Sequence, residues 1–205
     1  ALRALDPDEY MLLHASMGFA ILVAASGFVA IADEVAAGDT VVRVDRAFAS
    51  AVHASASPEG VTAFRAFTWL GGTPGLVIVA VAIGVALYWG RRRLFAAGWA
   101  VAMIGAALLN GALKLVFARP RPVFERPHDI AAGWSFPSGH AMATIVAAGM
   151  LTYMGLSVAR TTPRRLAVVV AAAAWTVAMG FSRLYLGVHY LSDVAGGFAA
   201  GTVWL

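Results

Sequence analysis

The sequence predicts an all-α membrane protein, a six-transmembrane-helix bundle with short amphipathic interfacial helices between the first and second spans. Three observations carry that expectation. Of 205 residues, 60% are hydrophobic and only 13% charged, where a soluble domain carries roughly 25% charged residues to meet water. The apolar residues gather into six runs near the length of a bilayer crossing. The charged and proline-rich residues concentrate between those runs. Disorder is excluded by the apolar content and collagen by the absence of a glycine period among 21 Gly. Zero cysteines exclude a disulfide framework and a thiolate metal site. The net charge of +4 is spread between apolar blocks rather than massed on one face, so no nucleic-acid partner is expected.

A spanning helix needs about 20 mainly apolar residues at about 1.5 Å each. The first run covers residues 11–32. Asp6, Asp8 and Glu9 precede it and no small-residue cleavage site follows, so it reads as a span rather than a cleavable signal peptide. The second covers about 73–89, the third 94–116, the fourth 141–159 and the fifth 166–182. The sixth starts near Tyr190 and is still running at Leu205. The expectation is one domain over residues 1–205 with its last helix cut short. Gly197 and Gly201 give that helix a G-x-x-x-G pattern, a sign of close helix contact.

Two stretches do not span. In residues 33–72, Val41, Val44, Phe48 and Val52 recur at helical spacing against Arg43, Asp45 and Arg46. Ser57-Pro58-Glu59 then reads as a helix start, with Ser57 as N-cap and Pro58 in the first turn. Val61, Phe64 and Phe67 give that helix an apolar stripe. Both suit the membrane interface. Residues 117–137 form a proline-broken basic loop holding Arg119, Pro120, Arg121, Pro122, Arg126 and Pro127.

Alternation of the spans brings four places to one membrane face. They are the end of the third helix, the start of the fourth, the end of the fifth and the start of the sixth. Lys114 with Arg121-Pro122, Pro137-Ser138-Gly139-His140, Ser182-Arg183, and His189 with Asp193 stand there. Ionisable residues at such a level are expensive in a bilayer and mark function. Each has a plainer reading alone: Lys114 snorkelling, Arg119 or Arg121 anchoring to headgroups, Ser138 capping a helix, His189 and Asp193 bonding one turn apart. Their convergence favours a shared site. Among fifteen basic residues Lys114 is the one lysine, which fits a place where a compact ammonium is wanted.

Lys114, Arg121 and Arg183, with backbone amides around Ser138 and Gly139 at a helix N-terminus, make a site for a dianion. His189 has a carboxylate one turn on, which fixes its tautomer and leaves the far nitrogen free as a nucleophile. His140 follows an anion-binding turn and suits a general acid. No carboxylates and histidines stand at metal-ligand spacing, so no metal or cofactor is expected. His14, His53, His128 and Asn110 are given no chemical role, Asn110 being read as an interhelical hydrogen bond.

Lys114-x6-Arg121-Pro122, Pro137-Ser138-Gly139-His140 and Ser182-Arg183-x5-His189-x3-Asp193 resemble the three-part signature of the type 2 phosphatidic acid phosphatases (PAP2 family) at eleven positions in order. The resemblance implies that the first motif, the Ser138-Gly139 turn and Arg183 hold phosphate. It implies that His189 forms a phosphohistidine, that Asp193 orients it, and that His140 protonates the leaving group. It also implies a site facing away from the cytoplasm. The tight connections Arg91-Arg92-Arg93 and 160–165 would then be cytoplasmic, as their density of positive charge suggests.

The expected activity is metal-independent hydrolysis of a lipid phosphate or diphosphate, in a bacterial plasma membrane. Phosphatidic acid, phosphatidylglycerol phosphate and undecaprenyl diphosphate all fit. The bilayer and the lipid phosphate are the expected partners, and the sequence leaves oligomeric state open. Two rivals share the features: a phosphotransferase passing the group to another lipid, and a lipid or anion transporter without catalysis. A transporter tends to show internal repeats, and none is visible.

Overall fold

The computed structural model describes residues 7–38, 40–71 and 73–205. Eight helices occur among them in chain order: α1 (Pro7–Ala37), α2 (Thr40–Ser55), α3 (Pro58–Gly71), α4 (Thr73–Trp89), α5 (Arg93–Phe117), α6 (Gly139–Val158), α7 (Thr162–Tyr185) and α8 (Leu191–Trp204). Every apolar run of the sequence is helical. Four stretches are long and apolar enough to cross a membrane: His14–Ala37, Arg93–Phe117, Gly139–Val158 and Thr162–Tyr185. The protein is therefore all-α and integral to a membrane. Helices α4 and α8 are apolar but shorter, at 17 and 14 residues. At about 1.5 Å per residue α4 falls short of the about 30 Å of a hydrocarbon core unaided, while α8 runs to the last residues of the sequence.

α6 is the centre of the bundle, flanked by α5, α7 and α8, with α1 laid against α8. Its small residues are the reason. Ala141, Ala147 and Ala148 are buried beside Met142 and Val146, and the core continues into Ala102 and Ala106 of α5 and Ala200 of α8. Without a hydrophobic drive between helices in lipid, such small residues let backbones approach and pack. The G-x-x-x-G of α8 brings that helix close against α6. A Cβ built on Gly197 would lie 2.6 Å from the Ser138 carbonyl oxygen, and one on Gly201 2.3 Å from Ile145 Cγ2. On the outward faces, Val101, Ile104, Leu108 and Leu115 of α5 and Val170 and Val177 of α7 stand exposed, as residues facing lipid do.

α2 and α3 connect α1 to α4 and lie across the site end of the bundle, α2 touching α1, α7 and α8, and α3 touching α4 and α7. Ser57 caps α3 as expected, its Oγ accepting from the Gly60 amide at 3.1 Å. Phe64 packs on Tyr185 and Phe181 of α7. The stripe expected on α2 needs one correction. Val44 is exposed, and Asp45 is the residue turned inward, 2% exposed. A buried carboxylate holds that position because a buried arginine reaches it from the proline-rich loop.

Candidate active site

α5 ends at Ala118, whose left-handed backbone returns its amide to the Lys114 carbonyl. The chain from Arg119 to Ser138 is then irregular, because prolines at 120, 122, 127 and 137 remove amide donors and bar a helix. This loop lies over the ends of α5 and α7. Lys114 Nζ donates to the carbonyls of Trp134 and Ser135. One turn earlier, Asn110 Nδ2 donates to the Pro137 carbonyl at 3.2 Å, so Asn110 ties α5 to the loop ahead of α6 rather than to a neighbouring helix. Its Oδ1 lies 3.0 Å from where a Cβ on Gly139 would stand, a close approach that suits glycine there.

Ser138 is the N-cap of α6, its Oγ accepting from the Ala141 amide. Its own amide donates to the Asp193 carbonyl at 2.9 Å. That corrects one expectation: the Ser138 amide is occupied by the α8 backbone, and an anion would have to use the turn beyond it. The bond also fixes the start of α6 against the start of α8, and so His140 against His189. On the other side, α7 closes with Arg183, and Gly187 at φ +71° reverses the chain into Val188-His189. Asp193 is the third residue of α8 and accepts from the Tyr190 amide at 2.8 Å, a stabilising place for a carboxylate at a helix N-terminus.

These elements leave a cavity of about 850 Å³, and Lys114, Arg121, Gly139, His140, Arg183 and His189 all line it. Pro122, Ser138 and Asp193 are not among its lining residues, Ser138 and Asp193 being fully buried. Arg121 is anchored by its Nε to the Gly133 carbonyl (3.0 Å) and by Nη2 to the Ala132 carbonyl (3.1 Å). Its Nη1 reaches the Val188 carbonyl (2.7 Å) and His189 Nε2 (3.1 Å). A guanidinium only donates, so Nε2 is the accepting nitrogen of His189 and the ring proton sits on Nδ1. Nδ1 in turn faces Asp193 Oδ2 at 3.3 Å. Burial pushes the pKa of His189 down to about 4, Asp193 opposing and Arg121 and Arg183 adding to the fall. The imidazole is therefore neutral at pH 7. Arg183 is 4% exposed, and among the described residues nothing accepts from its buried Nε. A guanidinium left so is costly until a ligand supplies the acceptor.

Five residues that the sequence did not single out for chemistry stand behind His189. Arg119, read as a headgroup anchor, is buried. Its Nη1 donates to Asp193 Oδ1 at 2.6 Å and to Ser192 Oγ at 2.7 Å, and its Nη2 donates to Asp45 Oδ2 at 2.8 Å. The Tyr190 ring lies 4.3 Å beneath the guanidinium carbon. Asp45 also accepts from the Ser192 amide (3.0 Å) and the Ser192 hydroxyl. Ser135 Oγ donates to Asp193 Oδ2. Breaking such a buried pair by removing one partner costs about 3–5 kcal/mol, since the other charge is left uncompensated. Among the described residues no group of three or more His, Asp or Glu is placed to hold a metal ion.

The family model of the PAP2 superfamily matches residues 95–205, which run from the first turn of α5 through α8 and include the cavity-lining Lys114, Arg121, His140, Arg183 and His189. The chain belongs to the PAP2 superfamily. Among PAP2 relatives, phosphatidylglycerophosphatase B of Bacillus subtilis is 32% identical over 135 residues, 65% of this chain and 66% of that protein. Decaprenylphosphoryl-5-phosphoribose phosphatase of Mycobacterium tuberculosis is 36% identical over 138 residues, 62% of this chain and 66% of that protein. The chain thus spans just under two thirds of the length of these curated relatives. The crystal structure of a transmembrane PAP2-type phosphatidylglycerolphosphate phosphatase from Bacillus subtilis superposes with a TM-score of 0.78 at 29% identity, covering 88% of this chain and 91% of that one. Aquifex aeolicus LpxE shares the fold, with a TM-score of 0.62 at 22% identity over 78% of this chain and 92% of that one. Asp45 lies outside the stretch that the PAP2 model matches, on a helix whose link to Asp193 runs through Arg119 and Ser192.

Proposed function

We propose that this protein is a lipid phosphate phosphatase of the bacterial plasma membrane, with six spans and a site on the extracytoplasmic face. The observation that carries the reading is the setting of His189. Its Nδ1–H is turned to Asp193, and its Nε2 lone pair meets a cavity lined by Lys114, Arg121 and Arg183. Three cations call for a dianion, and a neutral imidazole oriented by a carboxylate is a nucleophile.

The chemistry follows from these positions. A phosphate monoester or diphosphate enters and takes hydrogen bonds from Arg121, Arg183 and Lys114. Arg121 leaves His189 Nε2 for a phosphate oxygen, so that binding the substrate uncovers the nucleophile. Nε2 attacks phosphorus as the bond to the lipid oxygen breaks, and His140 gives that oxygen its proton. The phosphohistidine carries a positive ring, which Asp193 stabilises. Water then attacks phosphorus, giving its proton to His140, and the P–N bond breaks to release phosphate and neutral His189. Charge on the transferring group is met by side chains, so the scheme needs no metal.

Arg91, Arg92, Arg93, Arg160, Arg164 and Arg165 cluster in the short connections at the opposite end of the bundle, which supports a cytoplasmic placement of that end. The named relatives act on a phosphatidylglycerophosphate and on a polyprenyl-linked phosphoribose, which supports a lipid-borne phosphate here. The test is phosphate release from a panel of lipid phosphates by detergent-solubilised protein, wild type against His189→Ala. Release by the wild type and none by the variant is expected. Equal release by both refutes the nucleophile, and none from any lipid phosphate by the wild type refutes the function.

A further inference from the structure

Asp193 divides its two oxygens. Oδ2 receives His189 Nδ1, the Ser135 hydroxyl and the Tyr190 amide. Oδ1 receives Arg119, whose other arm is held by Asp45. Tying α2 to the loop would need no more than the Asp45–Arg119 pair. The guanidinium instead bridges two buried carboxylates, and one of them is the group that holds the reacting histidine.

We propose that Asp45 and Arg119 are positioning residues for His189: together they clamp Oδ1 of Asp193 so that Oδ2 is presented to His189 Nδ1, and their opposite charges set how strongly Asp193 holds the imidazolium formed during the reaction. The inference rests on His189 being the nucleophile. The geometry gives it three parts. A carboxylate held at both oxygens cannot rotate away from the ring. The Tyr190 face beneath Arg119 keeps the fork in the plane that serves both acids. Asp45 supplies a second negative charge, so the set behind His189 (Asp45, Arg119 and Asp193) is net negative by one. The groups facing the ring from the other side are Lys114 of α5, Arg121 of the loop, His140 of α6 and Arg183 of α7, the cavity-lining cations and acid described above. α2 is thereby a working part of the site, although none of its residues reaches the cavity.

The charges make the test directional. Asp45→Asn removes a negative charge, and Arg119→Gln a positive one. In the full chain in detergent, Asp45→Asn should move the acidic limb of kcat/KM to lower pH and Arg119→Gln should move it to higher pH, each by about one unit. Both should lower kcat by about tenfold or more through misplacement of the ring, with KM changed far less. Arg119→Lys keeps the charge and loses the fork, so its limb should return to the wild-type position while kcat stays low. The same displacements should appear when His189 is titrated directly by NMR in protein labelled with [15N]histidine. That arm needs no turnover. Opposite NMR shifts in a protein that hydrolyses no lipid phosphate would uphold the clamp and refute the proposed function; unshifted limbs in active, folded variants would overturn the clamp and leave the function standing. If Asp45→Asn does not fold, Arg119→Gln decides alone by the direction of its limb. Failure of both to fold would overturn the positioning role in favour of a scaffold.

Discussion

Gly197→Ala tests whether the α6–α8 contact positions the two histidines. The new Cβ would lie 2.6 Å from the Ser138 carbonyl oxygen, 2.9 Å from Ala141 Cβ and 3.3 Å from the Met142 amide nitrogen. Two of those three atoms are backbone, so no flexible side chain can swing away. Reaching an ordinary contact of about 3.4 Å means separating the helices by about 0.8 Å at that point. The same point holds the bond from the Ser138 amide to the Asp193 carbonyl, which joins the helix carrying His140 to the turn carrying His189. Overpacking of this kind costs about 1–3 kcal/mol in stability, and a displacement near 1 Å costs up to about 100-fold in rate. The expected result is kcat lowered between about 10- and 100-fold, with a lowered Tm and a largely folded protein at 25 °C. The assay is phosphate release from a lipid phosphate in detergent, with thermal unfolding followed in parallel. Gly111→Ala is the control, since its Cβ meets nothing within 4 Å, and it should behave as wild type. A Gly197→Ala protein with wild-type kcat and Tm would refute the argument that this contact sets the site.

His140→Ala should cripple hydrolysis of alkyl lipid monophosphates by about 100-fold or more, because an alkoxide needs a proton to leave. It should partly spare a prenyl diphosphate or p-nitrophenyl phosphate, whose leaving groups are weak bases; equal loss on all of them, measured as relative kcat/KM, would make His140 a phosphate ligand instead. Activity should survive EDTA and be blocked by vanadate, since Lys114, Arg121 and Arg183 meet the charge; loss on chelation with recovery on adding magnesium would reject the metal-free scheme. His189 must be neutral to attack, and with its pKa near 4 activity is held above that value and lost as pH falls through it. Corrected for ionisation of the substrate phosphate at about pH 6, the acidic limb of kcat/KM should have its midpoint near 4, and a midpoint near 6.5 would show a solvated ring.

The sequence displays the helices and the cavity-lining residues for related reasons. A bilayer demands long apolar runs, so the runs are visible; the same demand makes each ionisable residue at a helix end conspicuous. Lys114, His140, Arg183 and His189 stand out on those grounds and meet at one cavity. Asp45 and Arg119 do not, because 74 positions separate them and no local spacing reports a pair so distant. Asp45 did leave a trace. Positions 41, 45, 48 and 52 keep helical spacing as well as 41, 44, 48 and 52 do, and choosing the apolar member of the pair puts the wrong residue inward. Arg119 sits two residues before Arg121, and a basic proline-rich loop gives no reason to bury one arginine and line a cavity with the other. Ser135 and Ser192 are neutral hydroxyls with no pattern of their own. Helix length is legible too, the second apolar run at 73–89 having the bounds of α4.

Burial and charge together explain why the hidden set exists at all. A neutral imidazole facing three cations has every reason to stay unprotonated, which would suit the proposed attack but oppose the positive ring that would follow it. The carboxylate behind the ring must therefore be charged, close and fixed, in a place where water cannot solvate it. Asp193 is fully buried, and an isolated buried carboxylate would take up a proton rather than hold a charge. Arg119 keeps it ionised, yet a lone Arg119 would also cancel the negative field that the ring needs. Asp45 resolves that conflict by taking half of the guanidinium. On the proposed reaction, the cations in front would bind the dianion and the net negative charge behind would stabilise the phosphohistidine. Each set would be untenable in a membrane without the other.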